Sequence, residues 1–229
     1  RAFQKLYQDW LCGLRADSVL AITQWEIDNY WRYLADSQKI FYVPYYSPIK
    51  AGDSKIVKSD TREKIVICML AKNTPSSSLL IDAREKLILL VTKLGVGLPD
   101  WRFVVTGPIN KGRNRASRVE YIGFVDEIAH ILYRAKAVAV LSSLGFGFKT
   151  KIIEAIEFGC MVLVEKKLYD RLPKELQSSC VVVNVSDRHS IENALNYLET
   201  ITEAGNMGQH VNDKLKHQMY SALDGIFCP

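Results

Sequence analysis

The sequence predicts an α/β fold, a parallel sheet flanked by helices. Three observations predict it. Residues 137–141 (AVAVL) and Met161–Val164 are short apolar runs bounded by turn residues, the pattern of strands buried on both faces. Between them Ile152, Ile153, Ile156 and Phe158 recur at helical spacing, and Gly159 stands where a helix C-cap belongs. The resulting strand, glycine loop, helix and strand form one βαβ crossover, and similar alternations run from residue 64 to residue 201.

In chain order, residues 3–14 carry Leu6, Trp10, Leu11 and Leu14 at helical spacing. A strand is expected over 17–23, a helix over 24–34, and a strand over 39–43 ending at Pro44. Residues 45–63, with Pro48, Gly52 and many charges, read as a linker. The main domain starts with a strand at 64–70, and Pro75 with three serines marks a loop and an N-cap region. Leu80, Ala83, Leu87, Leu90, Val91 and Leu94 then make an inward helical stripe ended by Gly95 and Gly97. Strands at 101–106 and 119–122 enclose a basic loop holding Lys111, Arg113, Arg115 and Arg118. That loop reads as solvated, with a phosphate or acidic-lipid contact as the sharper alternative. A helix over 126–135 points Ile128, Ile131 and Leu132 inward and carries His130, a lone histidine with a structural reading. After the central crossover, 166–176 is expected to be irregular around Pro173, and 180–185 to be a strand. Ile191, Ala194, Leu195, Leu198 and Ile201 form a helical stripe. Gly205 and Gly208 are expected to break the chain before a last helix over about 210–223.

Composition sets bounds. The 229 residues suit one large domain or one and a half α/β domains. The net charge of +5 fits an anionic ligand or a loose attraction to acidic headgroups. No basic stripe with interleaved aromatics is present, which argues against nucleic acid as a partner. Cys12, Cys68, Cys160, Cys180 and Cys228 are far apart and odd in number, with neither CxxC nor Cys/His spacing. They read as reduced thiols, no metal site is expected, and a cytoplasmic location follows. No apolar run is long enough to span a bilayer, so any membrane contact is expected to be peripheral.

The glycine loop is where chemistry is expected. Gly145 and Gly147 remove side chains where a strand hands over to a helix, so bare N–H groups can approach an anion. Lys149 and Lys151 add mobile positive charge at the same end. Glu154, about one turn into the helix, can accept hydrogen bonds from vicinal hydroxyls. Each piece also has a plainer reading: a tight turn, solvated lysines, a helix-face charge. The pattern GxGxKxKxxEAxxxG between two strands is much more specific than any one of them.

That pattern, Gly145-Phe146-Gly147-Phe148-Lys149-Thr150-Lys151-Ile152-Ile153-Glu154-Ala155 through Gly159 and Val162, resembles the donor-binding segment of GT-B glycosyltransferases. The resemblance is to the retaining group 1 class. Val119 to Asp126 resembles that family's strand and turn before the base pocket, and Trp101 to Pro108 its preceding strand. The similarity runs from about Lys64 to Ser186. It implies a Rossmann-like parallel sheet flanked by helices, the C-terminal domain of that fold, with the loop gripping the diphosphate and ribose of an activated sugar. Gly145, Phe146, Gly147, Lys149, Lys151 and Glu154 are the implied ligand segment. Phe124 and Val125 are implied to meet the base, and Lys72 to reach a phosphate. The implied partners are a nucleoside diphosphate sugar and a glycan or lipid-linked acceptor, with no cofactor and no metal. Ala16-Asp17 through Thr23, and Val43-Pro44, match the family's crossing between domains. Residues 1–45 are therefore expected to be the tail of an N-terminal domain whose earlier part is missing, or a small α/β appendage. The donor domain is expected over 46–205 and the C-terminal helix over 206–229. One position departs from the pattern. Many members carry two glutamates eight positions apart; the second matches Glu154, and Phe146 stands where the first would fall. A catalytic residue is not identified, and a non-catalytic partner domain of the same fold is the alternative reading.

Overall fold

The computed structural model describes residues 2–48, 62–70, 78–107, 118–142, 144, 147–201 and 205–227. A six-stranded parallel sheet forms its centre. Its strands are β3 (Glu63–Cys68), β4 (Arg102–Thr106), β5 (Val119–Gly123), β6 (Ala135–Val140), β7 (Met161–Val164) and β8 (Cys180–Val182). They lie in the order β5-β4-β3-β6-β7-β8, all parallel. Counted from the first strand of this sheet, that is the 3-2-1-4-5-6 order of a dinucleotide-binding fold. The chain direction across the sheet reverses between β3 and β6, so a crevice opens beyond the C-terminal ends of those two strands.

The helices cover both faces. On one face α3 (Ser78–Leu94) and α8 (Arg188–Thr200) bury Leu87, Leu90, Leu94, Ile191, Leu195 and Leu198 against Val66, Phe103, Val105 and Leu163. On the other, α4 (Ala129–Arg134), α5 (Lys151–Glu157) and α9 (Gly205–Phe227) pack over Ile67, Val138, Val140 and Val162. All four residues of β7 are buried, which is why its run is apolar without alternation. Gly159 has a φ of +75°, the left-handed C-cap that ends α5. Gly107 has a φ of +91°, and a Cβ there would lie 2.8 Å from the Cβ of Leu70, so only glycine lets β4 end beside β3.

Residues 2–42 carry a second, smaller sheet. Helix α1 (Ala2–Arg15) precedes β1 (Val19–Ala21), α2 (Gln24–Asn29), two 3-10 turns and β2 (Ile40–Tyr42). Strands β1 and β2 pair in parallel as a separate two-stranded sheet. Thr23 and Glu26 close a capping box at the start of α2.

Of the residues at helical spacing on α1, Leu6, Trp10 and Leu14 are 44%, 41% and 53% exposed. Three expectations are corrected. The segment 166–176 is not irregular but holds two short helices, α6 (Lys166–Tyr169) and α7 (Lys174–Gln177), which bury Leu168 and Leu176. The 126–135 helix is shorter, because Ala135 already pairs with Glu63 as the first residue of β6. Gly205 is the first residue of α9 and Gly208 lies inside it, so neither precedes the helix. A glycine in a helix interior costs about 1 kcal/mol. Packing of Val211 and Leu215 on α5 and the buried bonds of Asn212 offset that cost.

Those bonds tie α9 to the segment after β2. The Asn212 side chain accepts from the Ser47 N–H at 2.8 Å and donates to the Ser47 carbonyl at 3.1 Å. Both residues are buried, so the amide replaces a strand partner for that backbone. Substituting Asn212 with alanine is expected to cost about 2 kcal/mol by leaving two buried polar groups unpaired. Thermal denaturation reads this as a fall of about 4–8 °C.

Candidate functional site

The crevice between β3 and β6 collects the residues that carry charge at the C-terminal edge. Lys151 is the first residue of α5, and its ammonium donates to the Met69 carbonyl, just past β3, at 2.6 Å. The bond spans the crevice from one wall to the other. Burial holds the Lys151 pKa below the ordinary lysine value, with the charge of Glu154 acting in the opposite sense. Lys149 donates to the Leu144 carbonyl at 3.0 Å. Its pKa is also lowered, first by burial and then by Arg171, while Asp82 opposes. The two lysines are thus anchored by backbone carbonyls rather than mobile.

Gly147 is exposed, and a Cβ built on it would meet nothing within 4 Å, so the loop backbone there is open to solvent. Thr150, the N-cap of α5, places no side-chain oxygen on the first-turn N–H groups. Glu154 stands half-buried in that first turn. Phe148, between Gly147 and Lys149, packs its ring 6.0 Å from that of Tyr45 at an interplanar angle of 51°. Behind the loop, Ser142 follows β6 and donates to Asp82 of α3 at 2.9 Å. Lys86 of α3 is ion-paired with Glu165, the residue after β7. Arg171 lies 4.8 Å above the ring of Trp25, so the N-terminal segment borders the same edge.

Phe124 and Val125 follow β5, three strand positions from β6, which places them about 14 Å across the edge from the glycine loop. Phe124 is 52% exposed. The Gly107 N–H donates to the Gly123 carbonyl at 2.7 Å and holds this turn against β4. Phe124, Val125, Gly147, Lys149, Lys151 and Glu154 therefore share one edge of the sheet. Gly145, Phe146 and Lys72 lie outside the described residues. His130 is exposed on α4 and pairs with Glu127. Among the described residues no group of three His, Cys, Asp or Glu could hold a metal ion, and no helix is long and apolar enough to cross a membrane.

Sequence reasoning missed Tyr45, Ser142, Asp82 and Arg171 at this edge. Ser142 had a signal, since it follows an apolar strand directly. Tyr45 and Arg171 sit in segments read as linker and irregular chain, where periodicity says nothing about what they touch.

The family described as glycosyl transferases group 1 matches residues 65–199. A search of curated proteins returned no match. Solved structures similar in fold include HepE from Anabaena in complex with UDP, at a TM-score of 0.72 and 14% identity, covering 100% of this chain and 69% of that one. Sucrose-phosphate synthase from Thermosynechococcus elongatus aligns at 0.69 and 15%, covering 100% of this chain and 63% of that one. A glycosyltransferase from Rickettsia africae aligns at 0.59 and 13%, covering 97% and 62%. At these identities the likeness is one of fold, and the chain spans roughly two thirds of each of those proteins.

Proposed function

The chain belongs to the group 1 glycosyl transferases, and from that premise we propose that it supplies the donor-binding part of a sugar transfer. The donor is a nucleoside diphosphate sugar; the acceptor is a glycan or lipid-linked sugar in polysaccharide or glycoconjugate synthesis. The observation that carries this is the Lys151 ammonium, bonded across the crevice to the Met69 carbonyl on the same segment that bears the open Gly147 backbone and Glu154. A diphosphate on the loop meets two desolvated lysines, and their charge is worth more there than in water. As the glycosidic bond to the diphosphate breaks, negative charge grows on the leaving oxygen, and preorganised cations lower that barrier without a metal. Glu154 accepts from ribose hydroxyls, and the turn at Phe124 and Val125 borders the base. HepE, solved with UDP and with UDP-glucose, supports a uridine nucleotide as the first probe. In this reading residues 1–45 belong to a domain that completes the acceptor side, and the protein works in the cytoplasm, with peripheral membrane contact where the acceptor is lipid-linked.

Titration calorimetry with UDP, GDP and ADP in the presence of a chelator tests the proposal. At least one nucleotide is expected to bind, and Glu154→Ala to weaken it about tenfold through loss of a charged hydrogen bond. No heat with any nucleotide sinks it. Phe146, where a glutamate would meet the donor sugar, favours a second reading: a non-catalytic partner that binds nucleotide but transfers no sugar. Nucleotide binding without hydrolysis or transfer of a radiolabelled UDP-sugar would select that reading.

A further inference from the structure

Residues 45–47 run past the site from outside the matched family region, and the fold fixes them there. The Asn212 side chain holds the Ser47 backbone through two buried hydrogen bonds. Tyr46 is flanked by the ring of Tyr220 at 6.3 Å and the ammonium of Lys216 at 5.9 Å, both from α9. Helix α9 itself lies along α5. Tyr45 therefore has its ring on Phe148, one residue past Gly147, and both rings pack against the core that α5 covers.

We infer that Tyr45 is a second ligand for the sugar hydroxyl that Glu154 binds, donating to the hydroxyl oxygen while the carboxylate accepts its proton. The inference rests on the reading of Glu154 as the ribose-holding group. The chemistry is complementary: a carboxylate can only accept, a phenol can donate, and a sugar hydroxyl needs one of each. The Tyr45 hydroxyl is close enough to feel the charge of Glu154. Burial first, and that charge second, raise its pKa, so it stays a protonated donor at neutral pH. Among the described residues no hydrogen bond joins the two groups directly, which leaves each able to take a ligand hydroxyl. The crossing segment then contributes to recognition as well as to connection, and the site is completed by a residue about 20 positions before the family match begins.

The test is calorimetry on the full chain with UDP, GDP and ADP and the 2′-deoxy and 3′-deoxy analogues of the one that binds. Tyr45→Phe keeps the ring contact with Phe148 and removes only the donor. It is expected to weaken the ribonucleotide about five- to tenfold. One of the two deoxy analogues is expected to be insensitive to the substitution. In a Glu154→Ala background the effect of Tyr45→Phe is expected to shrink to less than about twofold, because the two groups act on one hydroxyl. Equal weakening of the ribonucleotide and both analogues assigns Tyr45 to packing alone and overturns the inference. So does a silent Tyr45→Phe alongside a damaging Glu154→Ala, and that result leaves the ribose role of Glu154 standing. A silent Glu154→Ala removes both.

Discussion

Replacing Lys151 with methionine is expected to weaken UDP binding by about a hundredfold while leaving the melting temperature within a few degrees of wild type. The two halves of that result have separate causes. Methionine keeps the apolar stem of the side chain and so keeps the packing at the start of α5. What it removes is an ammonium already stripped of much of its water and pinned to the Met69 carbonyl. In the ligand-free protein that ammonium is a liability, since burial disfavours charge. A lysine whose folded pKa lies below its unfolded value holds fewer protons when folded, at any pH between the two values. Folding stability therefore rises with pH across the window just below 10.5, and the penalty is present in full below the folded pKa. Lys151→Met is expected to flatten that rise, seen as a smaller gain in melting temperature between neutral and alkaline pH. A diphosphate reverses the preference by stabilising the ammonium. Wild-type binding within the window is then expected to take up a proton. Calorimetry in two buffers of different ionisation enthalpy detects this as a difference in apparent heat, and the difference shrinks in Lys151→Met to the share that Lys149 supplies. If Lys151→Met binds UDP as wild type does, the lysine only ties α5 to β3.

The central sheet was legible because its signals are local. Apolar runs at residues 137–141 and 161–164 report strands buried on both faces, and the stripes of α3 and α8 report helices with one face inward. The glycine loop was legible because its residues are consecutive. The contacts that shape the site are not local. Lys151 finds Met69 across 82 residues, and Asn212 finds Ser47 across 165. No periodicity encodes either pairing, so the lysines read as mobile and Tyr45 as linker. Helix α1 shows what spacing leaves open. Leu6, Trp10 and Leu14 recur at helical spacing and stand exposed, because spacing reports which residues share a face and not what that face meets. The glycines of α9 mark a third limit: a local preference of about 1 kcal/mol yields to tertiary packing.

Arg62 is expected to be the costliest single polar residue for folding, and nothing near it in sequence announces this. It stands just before β3, and its guanidinium donates to the Leu132 carbonyl at 2.9 Å, the Ala135 carbonyl at 2.7 Å and the Phe158 carbonyl. Leu132 lies in the last turn of α4, Ala135 is its C-cap, and Phe158 is the C-cap of α5. Helix C-termini leave carbonyls without intrahelical partners and carry partial negative charge. One planar cation with a fork of donors serves both ends at once. Cys160 lines the same spot, its thiol donating to the Leu132 carbonyl at 3.1 Å; burial pushes its pKa up to about 11, so it stays a neutral donor, and one S–H cannot replace the guanidinium's charge or its fork. Arg62→Ala therefore strands several carbonyls near the core and loosens α4 and α5 from β3 together. The expected loss is about 3 kcal/mol, a fall in melting temperature of about 10 °C. Arg62→Lys keeps the charge but not the fork, and is expected to recover less than half of the loss. Because α5 carries Lys151 and Glu154, UDP affinity of Arg62→Ala is expected to fall severalfold even well below its melting temperature. A melting temperature within about 2 °C of wild type would show that water satisfies those carbonyls equally well, and that the two helix ends are held by packing alone.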